Sequence, residues 1–388
     1  MSKIKVAHIH TDPKFVKGSN AFESPDIENR IYAFERSSSQ RVKLVASQSS
    51  IEYLAIRNES IEYVIHEASR ADVVVLWGLE RIKAYILSKL PPHIMIVWRF
   101  FGSEYYSCNH KMYLTDSTLR FCKKNNFLKI KRRVASLGIY RRLRNRTYGI
   151  AIEKVMNRID LFIGLSDSEY QLVKQRFTFD CSFLRAPFAL GNIPENKKVA
   201  EEQIVILGHS RTKYNNHIDM LENIQEINPT EYRFKVLFSY GTDDDYTDHV
   251  RKIAQRMPLV DVVHDFLDTK DFQNLYGAAT AFVLNAKRQI AGGNIMTAIR
   301  QRVIIYMRED NLYYKDLIEW GFQIRKIDEF YNLIAHGCSL YDEQIAEHNA
   351  RTLLRLSNEY GLDNFLDCFM QYISRFCVKT NSRVFNKL

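Results

Sequence analysis

Short apolar runs alternate with helix-period segments along nearly the whole chain, and this rhythm constrains the fold more than any other feature. The first half carries KVAHIH (5–10), VKLVAS (42–47), EYVIH (62–66), ADVVVLWG (71–78), IMIVWRF (94–100) and DLFIGLS (160–166). The second restarts with QIVILG (203–208), FKVLFSYG (234–241), VDVVHDF (260–266), TAFVLN (280–285) and RVIIYM (302–307). Runs this short and β-branched, each handing over to a helical pattern, predict parallel sheets covered by helices. A long helical stretch is expected over roughly 110–157, and mostly helix after about Asp328.

The 388 residues exceed one ordinary domain and suit two. APFALGNIPENKKVAE (186–201) interrupts the rhythm with two prolines, a Gly-Asn pair and charges, and marks the junction. The expectation is therefore α/β: two doubly wound Rossmann-like domains facing across a cleft. They would span 1–190 and 200–360, with a C-terminal helix over 361–388 in a position to pack back on the first. In open parallel sheets ligands bind beyond the carboxyl ends of the strands. The residues that follow the strands are thus the ones to read for chemistry.

Before the strand ends, the charge bounds the partners. The net charge is +10, yet between Leu119 and Ile152 stand eleven cations and no acid: Arg120, Lys123, Lys124, Lys129, Lys131, Arg132, Arg133, Arg141, Arg142, Arg144 and Arg146. Without them the chain is close to neutral. Apolar residues such as Phe127, Ile130, Leu137 and Leu143 interleave with the cations, as on an amphipathic surface that meets anions. Lys131, Arg132, Arg133, Arg141 and Arg142 are the candidates for an anionic membrane surface. No nucleic-acid-binding motif accompanies them, so nucleic acid is not an expected partner. The N-terminus lacks the apolar core of a signal peptide, and no run of 18 apolar residues would span a bilayer. Six cysteines without a CxxC pair suit a reducing cytoplasm. A cytoplasmic protein, peripheral on the inner leaflet, is the expectation.

Three strand ends in the second half are rich in hydrogen-bonding groups. GHSRTKYNNH offers Gly208, Ser210, Asn215 and His217 just before a helix with Ile218, Leu221 and Ile224 on one face. A glycine there admits a ligand close to the backbone, and free N–H groups at a helix start attract an anion. An ordinary capped loop would have the same composition. NAKRQIAGGN places Lys287 and Arg288 ahead of Gly292, Gly293 and Asn294, a set able to clamp a diphosphate. SYGTDDD brings Ser239, Tyr240 and Gly241, followed by Asp243, Asp244 and Asp245. The acidic triplet suits either a divalent metal or, better, a helix start. In the first half His8, His10, Asp12 and Glu104 are candidate acid/base groups. Asp12 and Glu104 are best placed, just past strand ends.

These blocks resemble a family. ILGHSRTKYNNHIDML is similar to the G-N-S-x-x-x-x-N-x-H-I stretch of the bacterial TDP-N-acetylfucosamine:lipid II N-acetylfucosaminyltransferases, glycosyltransferase family 56. Gly208, Ser210, Asn215 and His217 match, and His209 replaces Asn. AKRQIAGGN, with the later REDN, resembles that family's A-R-Q-Q-G-I-G-T and R-E-N segments through Arg288, Gln289, Gly293 and Asn311, with Asn294 where Thr is usual. VWRFFGSEYY is similar to W-x-x-W-G-A-D-x-Y at Trp98, Gly102 and Tyr106, with Glu104 for Asp, and HTDPKF to D-x-K-F.

The resemblance implies a GT-B architecture and transfer of a sugar, such as a 4-acetamido-4,6-dideoxyhexose, from a dTDP or other nucleotide-diphosphate donor. It implies a polyprenyl-diphosphate-linked glycan as acceptor and surface polysaccharide, capsule or O-antigen, as the destination. The donor would lie on Gly208, Ser210, Asn215, His217, Ser239, Tyr240, Gly241, Arg288, Gly293 and Asn294, with Asp12 or Glu104 acting on the acceptor and no metal or other cofactor. The rivals are a metal-dependent transferase using Asp243–Asp245 and a non-catalytic nucleotide-sugar-binding relative.

Overall fold

The computed structural model describes residues 3–35, 51–106, 111–123, 152–177, 179–187, 193–194 and 202–385. The chain divides into two compact units. One comprises Met1–Tyr105, Gly138–Ala189 and Glu359–Leu388; the other comprises Tyr106–Leu137 and Leu190–Asn358.

In the first unit the described strands are β1 (Ile4–His10), β2 (Ile27–Glu35), β3 (Ile51–Ala55), β4 (Val73–Trp77), β5 (Met95–Arg99), β6 (Leu161–Gly164) and β7 (Ser182–Arg185). They form one parallel sheet in the order β3-β2-β1-β4-β5-β6-β7. The central strands β4 and β5 are covered on both faces, which is why VVVLW and MIVW read as unbroken apolar runs. Alternate residues feed two cores. Leu76, Ile96 and Trp98 join one, with Ile61, Val64 and Ala68 of the helix Asn58–Ala68. Val73, Val75, Met95 and Val97 join the other, with Phe365, Phe369 and Ile373. Those last three ride on the helix Leu362–Phe385, and their burial is what ties the end of the chain to this unit.

Sequence and structure differ at four elements here. EYVIH (62–66), expected as a strand, lies inside the helix Asn58–Ala68. Ile61, Val64 and Ala68 recur at three- and four-residue spacing, and that longer period outweighs a short β-branched run. Strands β2, β3 and β7 were not expected, because Glu28, Asn29 and Arg30 break the apolar signal in β2 and the other two are half-exposed. VKLVAS (42–47) and most of 186–201 lie outside the described residues.

The second unit holds β8 (Gln203–Leu207), β9 (Tyr232–Leu237), β10 (Val260–Val263), β11 (Ala281–Leu284), β12 (Ile304–Met307) and the two-residue β13 (Arg325–Lys326), also unexpected. Their order is β10-β9-β8-β11-β12-β13, all parallel. The helices His217–Ile227, Asp245–Ala254 and Ile327–Ala335 bury Leu221, Val250 and Phe330 on the face made by Val205, Val236, Val283 and Tyr306. On the other face Tyr276 of the helix Thr269–Ala278 meets Phe282 of β11, ring centroids 5.7 Å apart. Strand order reverses between β8 and β11, so the loops that follow them part there and leave a crevice at their carboxyl ends.

Residues 111–123 belong to this second unit, and two side chains of the helix His217–Ile227 region explain it. Asn216 Oδ1 accepts the Thr115 amide at 2.9 Å. Asp219 accepts the Ser117 and Thr118 amides at 2.9 and 3.0 Å, and the Thr118 hydroxyl at 2.7 Å. These are the unpaired donors at the start of the helical segment 116–123, capped from outside by a neighbouring helix. Of the long helix expected over 110–157, the described parts are 111–123, with a 3-10 turn over 111–113 and helix over 116–123, and a 3-10 stretch, Ile152–Arg158.

Candidate functional site

At the end of β8 the chain turns through Gly208, whose φ is +66°. A side chain there would be strained, and its Cβ would lie 2.5 Å from His217 Nε2 and 3.2 Å from Asn215 Cγ. The glycine therefore lets the loop close over His217. His217 is fully buried against Phe238, with its Nδ1 3.2 Å from the Tyr246 hydroxyl and its amide donating to the same oxygen at 2.9 Å. Burial, with a contribution from His209, drives its pKa down to about 3. His217 is a neutral support beneath the loop, and its Nε2 is buried against Gly208 without a hydrogen-bond partner.

Asn215, also fully buried, organises the rest of the loop. Its amide donates to the Ser210 carbonyl at 2.9 Å and to the Thr212 carbonyl at 3.2 Å. Its Oδ1 lies 2.8 Å from His209 Nδ1, and His209 Nε2 lies 3.1 Å from Ser210 Oγ. Because Asn215 Oδ1 can only accept, Nδ1 carries the imidazole proton and Nε2 accepts from the Ser210 hydroxyl. Ser210 is itself buried, 2% exposed, and its hydroxyl also lies beside the Tyr240 phenol. Asn216, next in the chain, donates to the Asn285 carbonyl at 2.8 Å, which fixes the β8 loop to the end of β11.

The loop after β11 is held from behind by Asn311, which is fully buried. Its amide donates to the carbonyls of Ala286 and Arg288, at 2.8 and 2.9 Å. Arg288 then extends between two aromatic rings, 4.3 Å from the Tyr214 centroid and 4.8 Å from that of Tyr106. The helix Gly292–Arg300 starts from Ala291, itself left-handed at φ +63°. A Cβ on Gly293 would meet nothing within 4 Å, so its backbone is open. Asn294 is turned inward, donating to the Tyr276 hydroxyl at 2.9 Å. The open helix start is thus made of backbone, with Asn294 anchoring it.

SYGTDDD resolves into a helix start with an ion-pair clasp. Asp244 caps the helix Asp245–Ala254 and shares a capping box with Thr247. Asp243 is paired with Arg211 at 2.9 Å and with Arg251 at 2.5 Å. Arg211 also donates to the Phe238 and His264 carbonyls, so it ties together the loops after β8, β9 and β10. Gly241, φ +116°, is needed there, since a Cβ would come within 2.9 Å of Arg211 Cβ. Ser239 is half-buried and Tyr240 is 42% exposed on this rim; Phe266, past the end of β10, is 54% exposed.

In the first unit, polar groups converge past the ends of β1, β4 and β5. His8 is buried and neutral, its pKa lowered to about 4 by burial against a smaller upward pull from Asn29. It accepts the Trp77 indole proton at 3.1 Å and donates to Asn29 at 2.8 Å. His10 stacks on Trp77 with centroids 4.8 Å apart and pairs with Ser19 at 2.8 Å; burial, then His8 and Lys83, hold its pKa well below the usual range. Glu104 is buried too. Its Oε1 accepts the Leu79 amide at 2.8 Å and the Trp98 indole at 3.3 Å, and burial raises its pKa. Asp12 keeps partial exposure.

Sequence reading missed Lys83, whose side chain is fully buried. Its ammonium donates to Thr11 at 2.9 Å, to Glu80 at 3.1 Å and to the Trp77 carbonyl, and burial lowers its pKa. On the helix Arg81–Lys89 it looks like a solvated cation, and only its burial reveals otherwise. The proposed membrane residues Lys131, Arg132, Arg133, Arg141 and Arg142 lie outside the described residues.

No protein-family model and no curated protein sequence matches this chain. Solved structures do. A glycosyltransferase from Rickettsia africae aligns over 97% of this chain and 99% of its own, at 10% identity and TM-score 0.59. The Anabaena protein HepE, solved in complex with UDP and glucose, covers 96% of this chain and 100% of its own, at 11% identity and TM-score 0.64. Sucrose-phosphate synthase from Thermosynechococcus elongatus covers 97% and 100%, at 10% identity and TM-score 0.63. The fold is GT-B, with two Rossmann-like α/β domains.

Proposed function

We propose that this chain is a glycosyltransferase that takes its sugar from a nucleoside-diphosphate donor. The observation that carries the reading is the open start of the helix Gly292–Arg300 beside Arg288 in the second unit. Bare backbone at Gly293 offers N–H groups and the positive end of a helix, and Arg288 supplies a guanidinium already oriented by two rings. Both follow β11, at the switch point where such sheets take ligands. The fold is shared with glycosyltransferases, one of them solved with UDP and glucose, which supports the same reading.

In the reaction the acceptor oxygen attacks the anomeric carbon as the bond to the diphosphate oxygen breaks. The acceptor proton goes to a base, and the diphosphate leaves with the bonding pair. Charge growing on that diphosphate is met by fixed donors, an electrostatic stabilisation of the oxyanion-hole type. We assign the base to Asp12, since Glu104 is buried and its Oε1 already accepts two donors. Gly208, Ser210, Asn215 and His217 shape the donor loop, while Ser239 and Tyr240 line its exposed side. Asp243 and Asp244 hold structural pairings, which supports transfer without a divalent ion.

The finer reading follows the family resemblance of the sequence blocks. The donor is a dTDP- or related sugar such as a 4-acetamido-4,6-dideoxyhexose, and the acceptor a polyprenyl-diphosphate-linked glycan for capsule or O-antigen. No helix among the described residues is long and apolar enough to cross a membrane, and the basic stretch 119–152 supplies a peripheral attachment to the inner leaflet. Titration calorimetry with UDP, dTDP and GDP tests the coarse proposal, followed by transfer assays with the sugar of whichever nucleotide binds. Absence of binding by all three at millimolar concentration would overturn it.

A further inference from the structure

The second unit has a half-open pocket of about 280 Å³ that the donor reading leaves unused. It sits among the helix His217–Ile227, the helix Ile327–Ala335 and the ends of β11 and β12, with Thr115 and Asp116 on its remaining side. Asn223, Asn285, Arg308 and Tyr331 complete its polar wall. Two wall hydroxyls lack a full set of partners: Thr115 Oγ1 is buried and makes no hydrogen bond, and the buried Tyr331 phenol has only Asn223 beside it. Buried hydroxyls without partners are costly and uncommon. They call for an occupant that can both donate and accept.

We propose that this pocket binds one uncharged monosaccharide unit. Its charged groups argue against an ion as ligand. Arg308 is committed to Asp310 through two bonds of 2.7 and 2.9 Å, and Asp219 already accepts three donors from Ser117 and Thr118. What remains is a mixture of hydroxyl, amide, carboxylate and ammonium groups, with Lys287 and Asp328 of opposite sign on the same wall. The ring of Tyr331 and the side chain of Ile327 give the apolar patch that a pyranose face requires. Burial pushes the Tyr331 phenol up to about 12, so it stays a hydroxyl at neutral pH. At about 30 Å³ per water, the space equals about nine waters, which suits a single sugar ring.

The occupant would touch a segment that the donor loops hold. Thr115 is fixed by Asn216, and Asn216 in turn bonds Asn285. A sugar resting on Thr115 and Asn285 therefore shares its walls with the β8 and β11 loops. It lies on the sheet face carrying His217–Ile227, whereas the helix Gly292–Arg300 neighbours Thr269–Ala278 on the other face.

Saturation-transfer NMR on the full chain tests this, with methyl glucoside, methyl galactoside and N-acetylglucosamine as probes. At least one is expected to receive saturation at low millimolar concentration. Thr115→Val and Tyr331→Phe remove only the two hydroxyls; that of Thr115 makes no bond in the fold, so Thr115→Val should keep its melting temperature. Each should weaken the sugar about tenfold, and UDP or dTDP binding, measured in parallel, should not change. A wild-type protein that binds none of the sugars overturns the proposal and leaves a water-filled pocket. Undiminished sugar binding in either folded variant also overturns it, because the sugar then sits elsewhere. Nucleotide binding without sugar binding would sink this inference alone; sugar binding that both variants weaken, without nucleotide binding, would sink the donor reading alone.

Discussion

The guanidinium of Arg288 lies 4.3 Å from the ring centroid of Tyr214, so a cation from the β11 loop rests on an aromatic residue of the β8 loop. The stacking fixes the direction of a long side chain before any ligand arrives, and it joins two sequence blocks 74 residues apart in number (214 and 288). A pre-oriented guanidinium loses little side-chain entropy on meeting a phosphate.

Arg288→Ala should fold normally and weaken nucleoside-diphosphate binding by about 1.5–3 kcal/mol, roughly ten- to a hundredfold. Arg288→Lys should recover little of it, since an ammonium neither stacks as a plane nor binds two oxygens at once. Tyr214→Leu should weaken binding less than Arg288→Ala does. Calorimetric titration of the three variants decides this, and a Lys variant with wild-type affinity would exclude the oriented-clamp account.

Transfer should persist in excess EDTA. Asp243 is paired with two arginines, which hold its carboxyl below the usual range, Arg251 foremost. Asp244 is engaged as a helix cap. Asp243→Asn is therefore expected to loosen the clasp among the β8, β9 and β10 loops without creating a metal dependence. Activity abolished by EDTA and restored by Mg²⁺ or Mn²⁺ would overturn the assignment.

How legible was this site in the sequence? Strands β4 and β5 announced themselves, because strands buried on both faces must be apolar throughout. The loops after β8 and β11 were legible as concentrations of polar residues, but the direction of each side chain was not. Arg211 and Arg288 are equally basic in sequence, yet Arg211 is spent on Asp243 and two carbonyls while Arg288 stacks on Tyr214. His217 matches a motif position and Asn294 stands where the motif has Thr, yet both point inward, to Tyr246 and Tyr276. Lys83 was invisible, since Thr11 and the Trp77 carbonyl, which make its burial tolerable, come from other parts of the chain. Such pairings are properties of tertiary packing, and no local pattern encodes them.

Acid should destabilise the fold before its carboxylates titrate. His8, with a pKa of about 4, and His217, with about 3, are neutral in the fold, and His10 is held low as well. Unfolded histidine titrates near 6.5. Above that pH both states are neutral and the stability is fully present. As the pH falls below about 6.5 the unfolded chain takes up protons that the buried rings refuse, and each ring costs about 1.4 kcal/mol per pH unit. Urea midpoints should therefore drop between pH 6.5 and 5, followed by Trp77 and Trp98 fluorescence for the first unit. A flat or rising midpoint over that interval would contradict the buried neutral histidines.

Vesicles containing phosphatidylglycerol should retain the protein at low salt, and neutral vesicles should not. Each cation near an anionic bilayer is worth about 1 kcal/mol, and added salt screens that attraction. Replacing Lys131, Arg132, Arg133, Arg141 and Arg142 with Gln should release the protein while nucleotide binding stays intact. Equal sedimentation with both vesicle types would leave the basic stretch in need of another anionic partner.

Two glycines should answer the same substitution in opposite ways. Gly208 has φ +66°, and an added Cβ would strike His217 Nε2 at 2.5 Å. The left-handed backbone alone costs an alanine about 1–2 kcal/mol, and a fully buried ring cannot move aside cheaply. Gly208→Ala should lower the melting temperature and lose nucleotide binding together, because the loop can no longer close. Gly293 lies in a helix with open space around it, where alanine is favoured by about 0.5–1 kcal/mol. Gly293→Ala should therefore melt at the wild-type temperature or above, yet bind nucleoside diphosphate less tightly, since a methyl group now stands where the diphosphate approaches the helix start. Melting curves with and without nucleotide separate the cases. A Gly293→Ala protein with unimpaired binding would place the diphosphate elsewhere, and the open helix start would lose its role.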